Sequence, residues 1–212
     1  MSRFLRNTVV ILGSILIFAS PRTSDGQGTF VFDQQSADEN TFGESAHSIQ
    51  PSQPMGQSFT PGLPGVDFIR FFTSDSSVNG LGATLYVNLR SGSITGPIMS
   101  STTPVFLPDG FTGRTNFVFP SQVALTVGDT YYLQPVVQSG DLWQVMAGHF
   151  NYTGGAEFGN GLPSPNFDLW FREGIVIPEP RALNLALAGL CGVLLEMRRL
   201  RGATGRVFRR GH

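Results

Sequence analysis

The chain has 212 residues, of which 41% are hydrophobic and only 14% are charged, and it contains a single cysteine. This length suits one ordinary domain with appendages. Its aromatic and β-branched content excludes a disordered chain, and one cysteine excludes a disulfide scaffold. All 14 basic residues are arginine, which excludes enzymes that need a lysine amine as a nucleophile or a phosphate ligand.

The formal net charge of −1 hides an asymmetry along the chain. Residues 27–175 carry twelve acids and four arginines, a balance of −8, whereas the chain from Arg181 onward carries seven arginines and one acid. An acidic body repels phosphates, while a basic tail beside an apolar run suits a membrane surface. We therefore expect the body not to bind nucleic acid.

The N-terminal segment has the pattern of an export signal. Arg3 and Arg6 precede an apolar run over residues 9–19, and small residues at 24–26 offer a cleavage site. A spanning helix would need about 20 apolar residues, which this run does not reach. We predict that residues 1–26 are a signal peptide. The alternatives are a permanent N-terminal anchor and a buried helix.

The body from residue 27 to 175 has the pattern of β-strands. Short alternating or β-branched runs are separated by clusters of Gly, Pro, Asn and Asp, without a long helical period. The alternation is clearest where Leu85, Val87 and Leu89 share one face. The pattern predicts an all-β fold, an antiparallel two-sheet sandwich of jelly-roll type, with Ser36–Pro54 as a long polar loop or strap. The predicted strands are Thr29–Phe32, Met55–Thr60, Val66–Thr73, Ala83–Ser91, Ile98–Thr102, Thr115–Phe119, Val123–Val127, Thr130–Gln138, Trp143–Ala147 and Asn166–Arg172.

Four segments of the body, Gln57–Pro61, Val66–Ile69, Val127–Leu133 and Phe167–Phe171, are together similar to a recurrent β-sandwich module of secreted bacterial proteins. Such modules resemble carbohydrate-binding jelly rolls. The shared positions are mostly turn and core positions. Gly128, for example, is suited to the positive φ of a tight turn that enters a buried strand.

Residues that could carry out catalysis are few. Cys191 lies in the apolar C-terminal run, His47 and His149 have no metal-ligand spacing, and no Gly-x-Ser-x-Gly sequence occurs. We predict no catalytic residues, no cofactor, no metal centre and no enzyme activity. A small glycan-active hydrolase with two convergent carboxylates remains a less favoured alternative. A structural calcium ion also remains open, with loop oxygens from Asp33, Glu39 or Asp168 as ligands.

Polysaccharide binding is the function that the aromatic residues favour. Flat rings stack on the C–H faces of sugars, and planar polar groups bind the hydroxyls. The candidates are Trp143, Tyr152 and Trp170, beside a glycine-rich loop, Gly154–Gly161, at a sandwich end. The alternative is that Trp143 and Trp170 are core residues. The polar residues nearby in sequence are Asp141, Gln144, Asn151 and Asn166.

The C-terminal end combines three features. The sequence Pro178-Glu179-Pro180 is followed by an apolar run over residues 182–195, and then by a cluster of arginines. As a helix, the run would be about 21 Å long, short of the roughly 30 Å hydrocarbon core, a gap that flanking arginines can narrow. We predict a short transmembrane helix with the body outside and the basic cluster on the cytoplasmic side. That cluster consists of Arg198, Arg199 and Arg201.

These three features resemble the PEP-CTERM sorting signal of Gram-negative bacteria, many of which make extracellular polysaccharide. The resemblance implies that an exosortase, a membrane-embedded protease-like enzyme, processes the chain near Pro178-Glu179-Pro180. Residues 176–202 are then the sorting signal and residues 203–212 a basic tail, with signal peptidase and exosortase as partners. We expect an exported, non-catalytic protein of the cell envelope or extracellular matrix that binds polysaccharide. The alternative is a purely structural surface protein.

Overall fold

The computed structural model describes residues 28–178. Within this range the chain forms fourteen β-strands and no helix, which confirms the predicted all-β class. The strands are β1 (Thr29–Gln35), β2 (Ser45–Ser48), β3 (Gly56–Phe59), β4 (Gly65–Asp75), β5 (Ala83–Ser91), β6 (Ile98–Ser101), β7 (Val105–Leu107), β8 (Thr112–Ala124), β9 (Tyr131–Gly140), β10 (Trp143–Gly148), β11 (Glu157–Gly159), β12 (Leu162–Ser164), β13 (Asp168–Leu169) and β14 (Phe171–Ile177).

The strands form two antiparallel sheets of seven strands each, consistent with the predicted β-sandwich. The first sheet has the order β1-β14-β4-β10-β13, with β2 paired to β10 and β8 paired to β4. The second sheet has the order β12-β11-β3-β9-β5-β6, with β7 paired to β5. The chain ends of the sandwich meet in the first sheet, because Thr29 at the start of β1 pairs with Ile177 at the end of β14.

The hydrophobic core lies between the inner faces of the two sheets. The alternation predicted for β5 is confirmed, since Leu85, Val87 and Leu89 are at most 1% exposed. Aromatic rings from both sheets fill the same space, including Phe59 from the second sheet and Phe71 from the first. Each fully buried side chain of this size stabilises the fold by about 1.5–3 kcal/mol.

The segment Ser36–Pro54 contains β2, and its first part lies against the outer face of the first sheet. Glu39 anchors it: its carboxylate lies 2.5 Å from Arg70 Nη1 and 3.2 Å from Arg114 Nε, and it also contacts Arg172. Partial burial opposes ionisation of Glu39, but hydrogen bonds from Arg70 and Arg172 outweigh it and hold its pKa below the ordinary value. Three of the four arginines in residues 27–175 thus bind Glu39, which belongs to the segment Ser36–Pro54.

The predicted tight turn before β9 is present. Gly128 has a φ of 87°, a conformation that a residue with a side chain rarely adopts. Tyr131 then begins β9, and its hydroxyl accepts a hydrogen bond from the Thr126 backbone N–H at 2.9 Å. The turn and the strand that follows give residues 127–133 a structural role.

Candidate ligand-binding site

A cavity of about 240 Å³ opens at one end of the sandwich, where β10 ends and β13 begins. Its lining is dominated by polar side chains that carry amide, imidazole, phenol and carboxylate groups. Such groups can hydrogen-bond the hydroxyls of a small polar ligand. The lining residues are His149, Asn151, Tyr152, Pro165, Asn166 and Asp168.

Strand pairing and one unusual backbone conformation bring the two walls of this cavity together. Gly148, the last residue of β10, pairs with Asp168 of β13, which fixes the residues after Gly148 beside those before Asp168. Asn151 then turns the chain with a φ of 59°, in the left-handed region that asparagine tolerates better than most residues. Non-glycine residues in this region occur disproportionately at functional sites.

Asp168 forms the buried wall of the cavity and is 4% exposed. Its Oδ1 accepts a hydrogen bond from Gln57 Nε2 at 3.0 Å, and its Oδ2 accepts one from the Tyr152 backbone N–H at 3.1 Å. Burial raises the pKa of Asp168 above its ordinary value, although these two hydrogen bonds oppose the change. Asp168 is therefore a fixed acceptor whose position depends on both sheets.

Tyr152 lies at the side of the cavity and is half-buried. Its ring packs edge-on against Phe171 with centroids 5.2 Å apart, and its hydroxyl donates to Gln34 Oε1 at 3.1 Å. The same hydroxyl accepts a hydrogen bond from the Thr60 backbone N–H at 3.4 Å. Burial raises the pKa of Tyr152 to about 12, so the phenol stays protonated at neutral pH. Its hydroxyl is engaged by Gln34 and Thr60 inside the protein.

His149 forms the exposed rim of the cavity. Its Nδ1 lies 2.7 Å from Glu44 Oε2, and its ring packs on Phe167 with centroids 4.0 Å apart. The hydrogen bond with His149 lowers the pKa of Glu44 below its ordinary value. Glu44 and Phe167 thus hold the imidazole, and about half of the His149 side chain remains exposed to solvent.

The structure places Trp143 and Trp170, two of the three aromatic candidates, inside the protein. Both are 0% exposed. Trp143 stacks on Phe111 with centroids 6.4 Å apart, and the Trp170 indole N–H donates to the Thr41 carbonyl at 2.9 Å. A ring without an exposed face cannot stack on a sugar, so these two side chains are core residues, as the alternative interpretation held.

Of the polar candidates, Asn151 and Asn166 do line the cavity together with Tyr152. Asp141 instead accepts a hydrogen bond from the Trp143 indole N–H at 3.0 Å, and Gln144 contacts Ser48. The structure therefore brings together the candidates that flank the turn after β10. It does not bring to the cavity the candidates within β10 and just before it.

The glycine-rich segment Gly154–Gly161, predicted as a loop, is in part a strand. It contains β11 and the turn to β12, and β11 pairs with β3 in the second sheet. Glycine is required at position 155, since an added Cβ would lie 2.0 Å from the Ser58 carbonyl oxygen. Close packing of strands, and not mobility, explains that glycine.

A second polar cluster, which the sequence analysis did not identify, lies between the sheets. His47 Nδ1 is 2.5 Å from Glu157 Oε1, and His47 Nε2 is 3.1 Å from Ser45 Oγ. Glu157 is 3% exposed, and its hydrogen bond raises the pKa of His47 above the ordinary value. The sequence could place Ser45 and His47 on one face of a strand, because they are two residues apart. It could not indicate their contact with Glu157, which is 110 residues from His47.

The three acids considered as calcium ligands have separate protein partners. Asp33 Oδ2 accepts backbone hydrogen bonds from Gly62 and Leu63 at 2.7 and 2.8 Å, whereas Glu39 binds arginines and Asp168 binds Gln57. Across residues 28–178, no group of three or more His, Cys, Asp or Glu side chains is placed to hold a metal ion.

The predicted sorting motif is described only at its first residue. Pro178 follows β14 directly, while Glu179, Pro180 and the arginines at 198, 199 and 201 lie outside the described residues. The predicted signal peptide and apolar C-terminal run lie outside them too. In the part of the chain that the structure covers, no helix is long and apolar enough to cross a membrane.

A scan against protein-family models finds no matching model, and a search of curated proteins finds no match.

Proposed function

We propose that this chain is an exported cell-envelope or extracellular-matrix protein whose jelly-roll-like sandwich binds polysaccharide at the cavity between β10 and β13. The path of the chain supports the jelly-roll assignment. Consecutive strands from β2 to β5 alternate between the two sheets, and so do those from β8 to β11. Such crossing between sheets is a feature of jelly-roll architecture.

The polar lining of the cavity is the observation that carries the binding proposal. Asn151 and Asn166 contribute planar amides and Asp168 a fixed acceptor, which are groups that bind sugar hydroxyls. A volume of about 240 Å³ is smaller than the roughly 300–1,000 Å³ of pockets for drug-sized ligands. We infer that the cavity takes one sugar residue of a chain, with the rest extending into solvent.

The two chain ends support the export and sorting parts of the proposal. The sequence of residues 1–26 has the charge and length of a signal peptide. Pro178-Glu179-Pro180, the apolar run and Arg198, Arg199 and Arg201 resemble the PEP-CTERM signal, so exosortase is the proposed processing partner. Pro178 stands immediately after the last strand, and processing there would release the sandwich with all its strands.

Binding is tested with the full chain, purified in a detergent that has no sugar headgroup, on an array of bacterial polysaccharides. Asn166→Ala should weaken binding to any glycan retained by about five- to tenfold, the value of a lost hydrogen bond. Asn79→Ala, at an exposed turn between β4 and β5, is the matched control and should bind normally. Absence of binding to every glycan would favour the purely structural alternative, and equal binding by Asn166→Ala would exclude this cavity.

Sorting is tested separately in the native host. Replacing Pro178-Glu179-Pro180 by three alanines should leave the chain uncleaved in the inner membrane, whereas the unaltered chain is processed and released. Intact mass and membrane fractionation measure both properties. Unchanged release of the altered chain would refute the sorting proposal without affecting the binding proposal.

A further inference from the structure

Ser45, His47 and Glu157 form a continuous hydrogen-bonded series. Ser45 Oγ lies 3.1 Å from His47 Nε2, and His47 Nδ1 lies 2.5 Å from Glu157 Oε1. Both distances are within hydrogen-bonding range, and each contact uses a different nitrogen of the imidazole. A hydroxyl, an imidazole and a carboxylate joined in this order are the components of an activated serine nucleophile.

The fold explains why these three side chains meet. On β2, Ser45 pairs with Ala147 and His47 pairs with Val145, two residues of β10 that are 0% exposed. Paired residues project to the same side of a sheet, so Ser45 and His47 both face inward. Glu157 begins β11 in the opposite sheet. The series therefore spans the gap between the sheets at β2, a strand that pairs with β10 alone among the described strands.

The surroundings fix the roles of the two imidazole nitrogens. Glu157 is 3% exposed, and its Oε1 accepts the hydrogen bond of the Nδ1–H, which leaves Nε2 as the basic nitrogen that faces the Ser45 hydroxyl. The His47 side chain is 33% exposed, so the series is reached from solvent even though its acid is buried. The Phe167 ring lies beside the imidazole with centroids 5.9 Å apart.

A second histidine–carboxylate pair in the same molecule lacks the features of the His47 pair. His149 and Glu44 are joined at 2.7 Å, but both side chains are more than half exposed. Among the hydrogen bonds of the described residues, none joins a hydroxyl to His149 Nε2. The His47 pair differs from it by its buried acid and by the serine on the opposite nitrogen.

We propose that Ser45, His47 and Glu157 are a catalytic triad that hydrolyses carboxylic esters. Ser45 Oγ attacks the ester carbonyl carbon while His47 Nε2 takes the hydroxyl proton. The bond between the carbonyl carbon and the alcohol oxygen then breaks, and His47 returns that proton to the departing alcohol. Water, deprotonated by His47 Nε2, then attacks the acyl carbon on Ser45. The bond between that carbon and Ser45 Oγ breaks, His47 returns the proton to Oγ, and the carboxylic acid leaves.

This activity is independent of glycan binding and goes beyond the proposed function. The first test is a fluorophosphonate probe, which reacts covalently with activated serines, applied to the folded full chain in detergent. Peptide mass spectrometry should locate the adduct on Ser45, and Ser45→Ala should lose it. Ser48→Ala is the matched control, because Ser48 lies on the same strand but projects to the opposite face. A folded chain that carries no adduct on Ser45 between pH 7 and pH 9 would overturn the proposal.

Hydrolysis of p-nitrophenyl acetate provides the second readout. His47→Gln should slow hydrolysis by roughly 10²–10⁴-fold, the contribution of a positioned general base. Ser45→Ala should slow it at least as much, and Ser48→Ala should leave it unchanged. If His47→Gln fails to fold, the Ser45 adduct on the unaltered chain still decides the question. Equal hydrolysis by Ser45→Ala and the unaltered chain would also overturn the proposal.

Discussion

Glu173 offers the sharpest test of the electrostatics inside the sandwich. It is 0% exposed on β14, and neither of its carboxylate oxygens has a hydrogen-bond partner. Burial raises its pKa to about 9, and the neighbouring Asp33 carboxylate adds to the effect. At neutral pH the folded protein therefore holds Glu173 as the neutral acid. The unfolded chain ionises it at the ordinary value of 4.5.

The size and sign of the effect on stability follow from these two values. Between pH 4.5 and pH 9 the folded state binds one proton more than the unfolded state, so stability falls as the pH rises. Each pH unit costs about 1.4 kcal/mol. The loss attributable to Glu173 is then about 3 kcal/mol at pH 7 and below about 1 kcal/mol at pH 5.

Glu173→Gln removes this titration while keeping the size and shape of the protonated side chain. We expect the variant to be more stable than the unaltered protein by about 3 kcal/mol at pH 7, with the difference shrinking toward pH 5. Urea unfolding of a fragment of residues 27–178, followed by circular dichroism at pH 5, 6, 7 and 8, measures it. A difference that does not change with pH would refute the reasoning, because only ionisation of Glu173 makes it pH-dependent.

Three further predictions follow from the burial and the charges. Glu39→Gln should destabilise the fragment by about 1 kcal/mol at pH 7. Because the pKa of Glu39 is lowered in the folded protein, this difference should shrink as the pH falls below the ordinary value of 4.5, and a series of urea unfolding curves from pH 7 down to pH 3 checks this. Trp143→Ala should cost about 3–5 kcal/mol in urea unfolding, whereas Phe106→Ala, at a position 66% exposed, should cost below about 1 kcal/mol. The fragment 27–178 should give a β-type circular dichroism spectrum that reducing agents leave unchanged, since its sequence contains no cysteine.

The sequence predicted the strands well wherever one face is buried. Residues 83–91 form β5 with the predicted bounds, because a period of two is a local property of the chain. The prediction was less complete where pairing with a distant strand decides where a strand begins and ends. The predicted strand at 115–119 and the first two residues of that at 123–127 lie in one long strand, β8, and residues 125–127 are not in a strand. Among the described strands β8 pairs only with β4, and so it tolerates Pro120. The predicted strand at 166–172 is divided into β13 and β14.

The candidate site was predictable only where its residues are neighbours in the chain. Asn151, Tyr152 and Asn166 flank the same pair of strand ends, so their clustering could be predicted from sequence. Whether an aromatic residue points inward depends on strand register, which is why the burial of Trp143 and Trp170 could not be decided in advance. The contact between His47 and Glu157 depends on how the two sheets pack. No pattern in the sequence near either residue indicates that packing.

Each of the three buried acids of the described residues, Glu157, Asp168 and Glu173, either lines the cavity or acts on a residue that lines it. Gln57 and Asp168 are joined at 3.0 Å, the charge of Glu157 adds to the raised pKa of Asp168, and Glu173 and Asp168 both raise the pKa of Tyr152. Burying such groups costs free energy that apolar side chains of similar volume would not cost. The apolar core elsewhere between the sheets shows that this chain can fill the space with Phe, Leu and Val. Buried acids grouped near one cavity are expected of a functional site, which agrees with the proposed ligand cavity and with the proposed role of Glu157 beside His47 and Ser45.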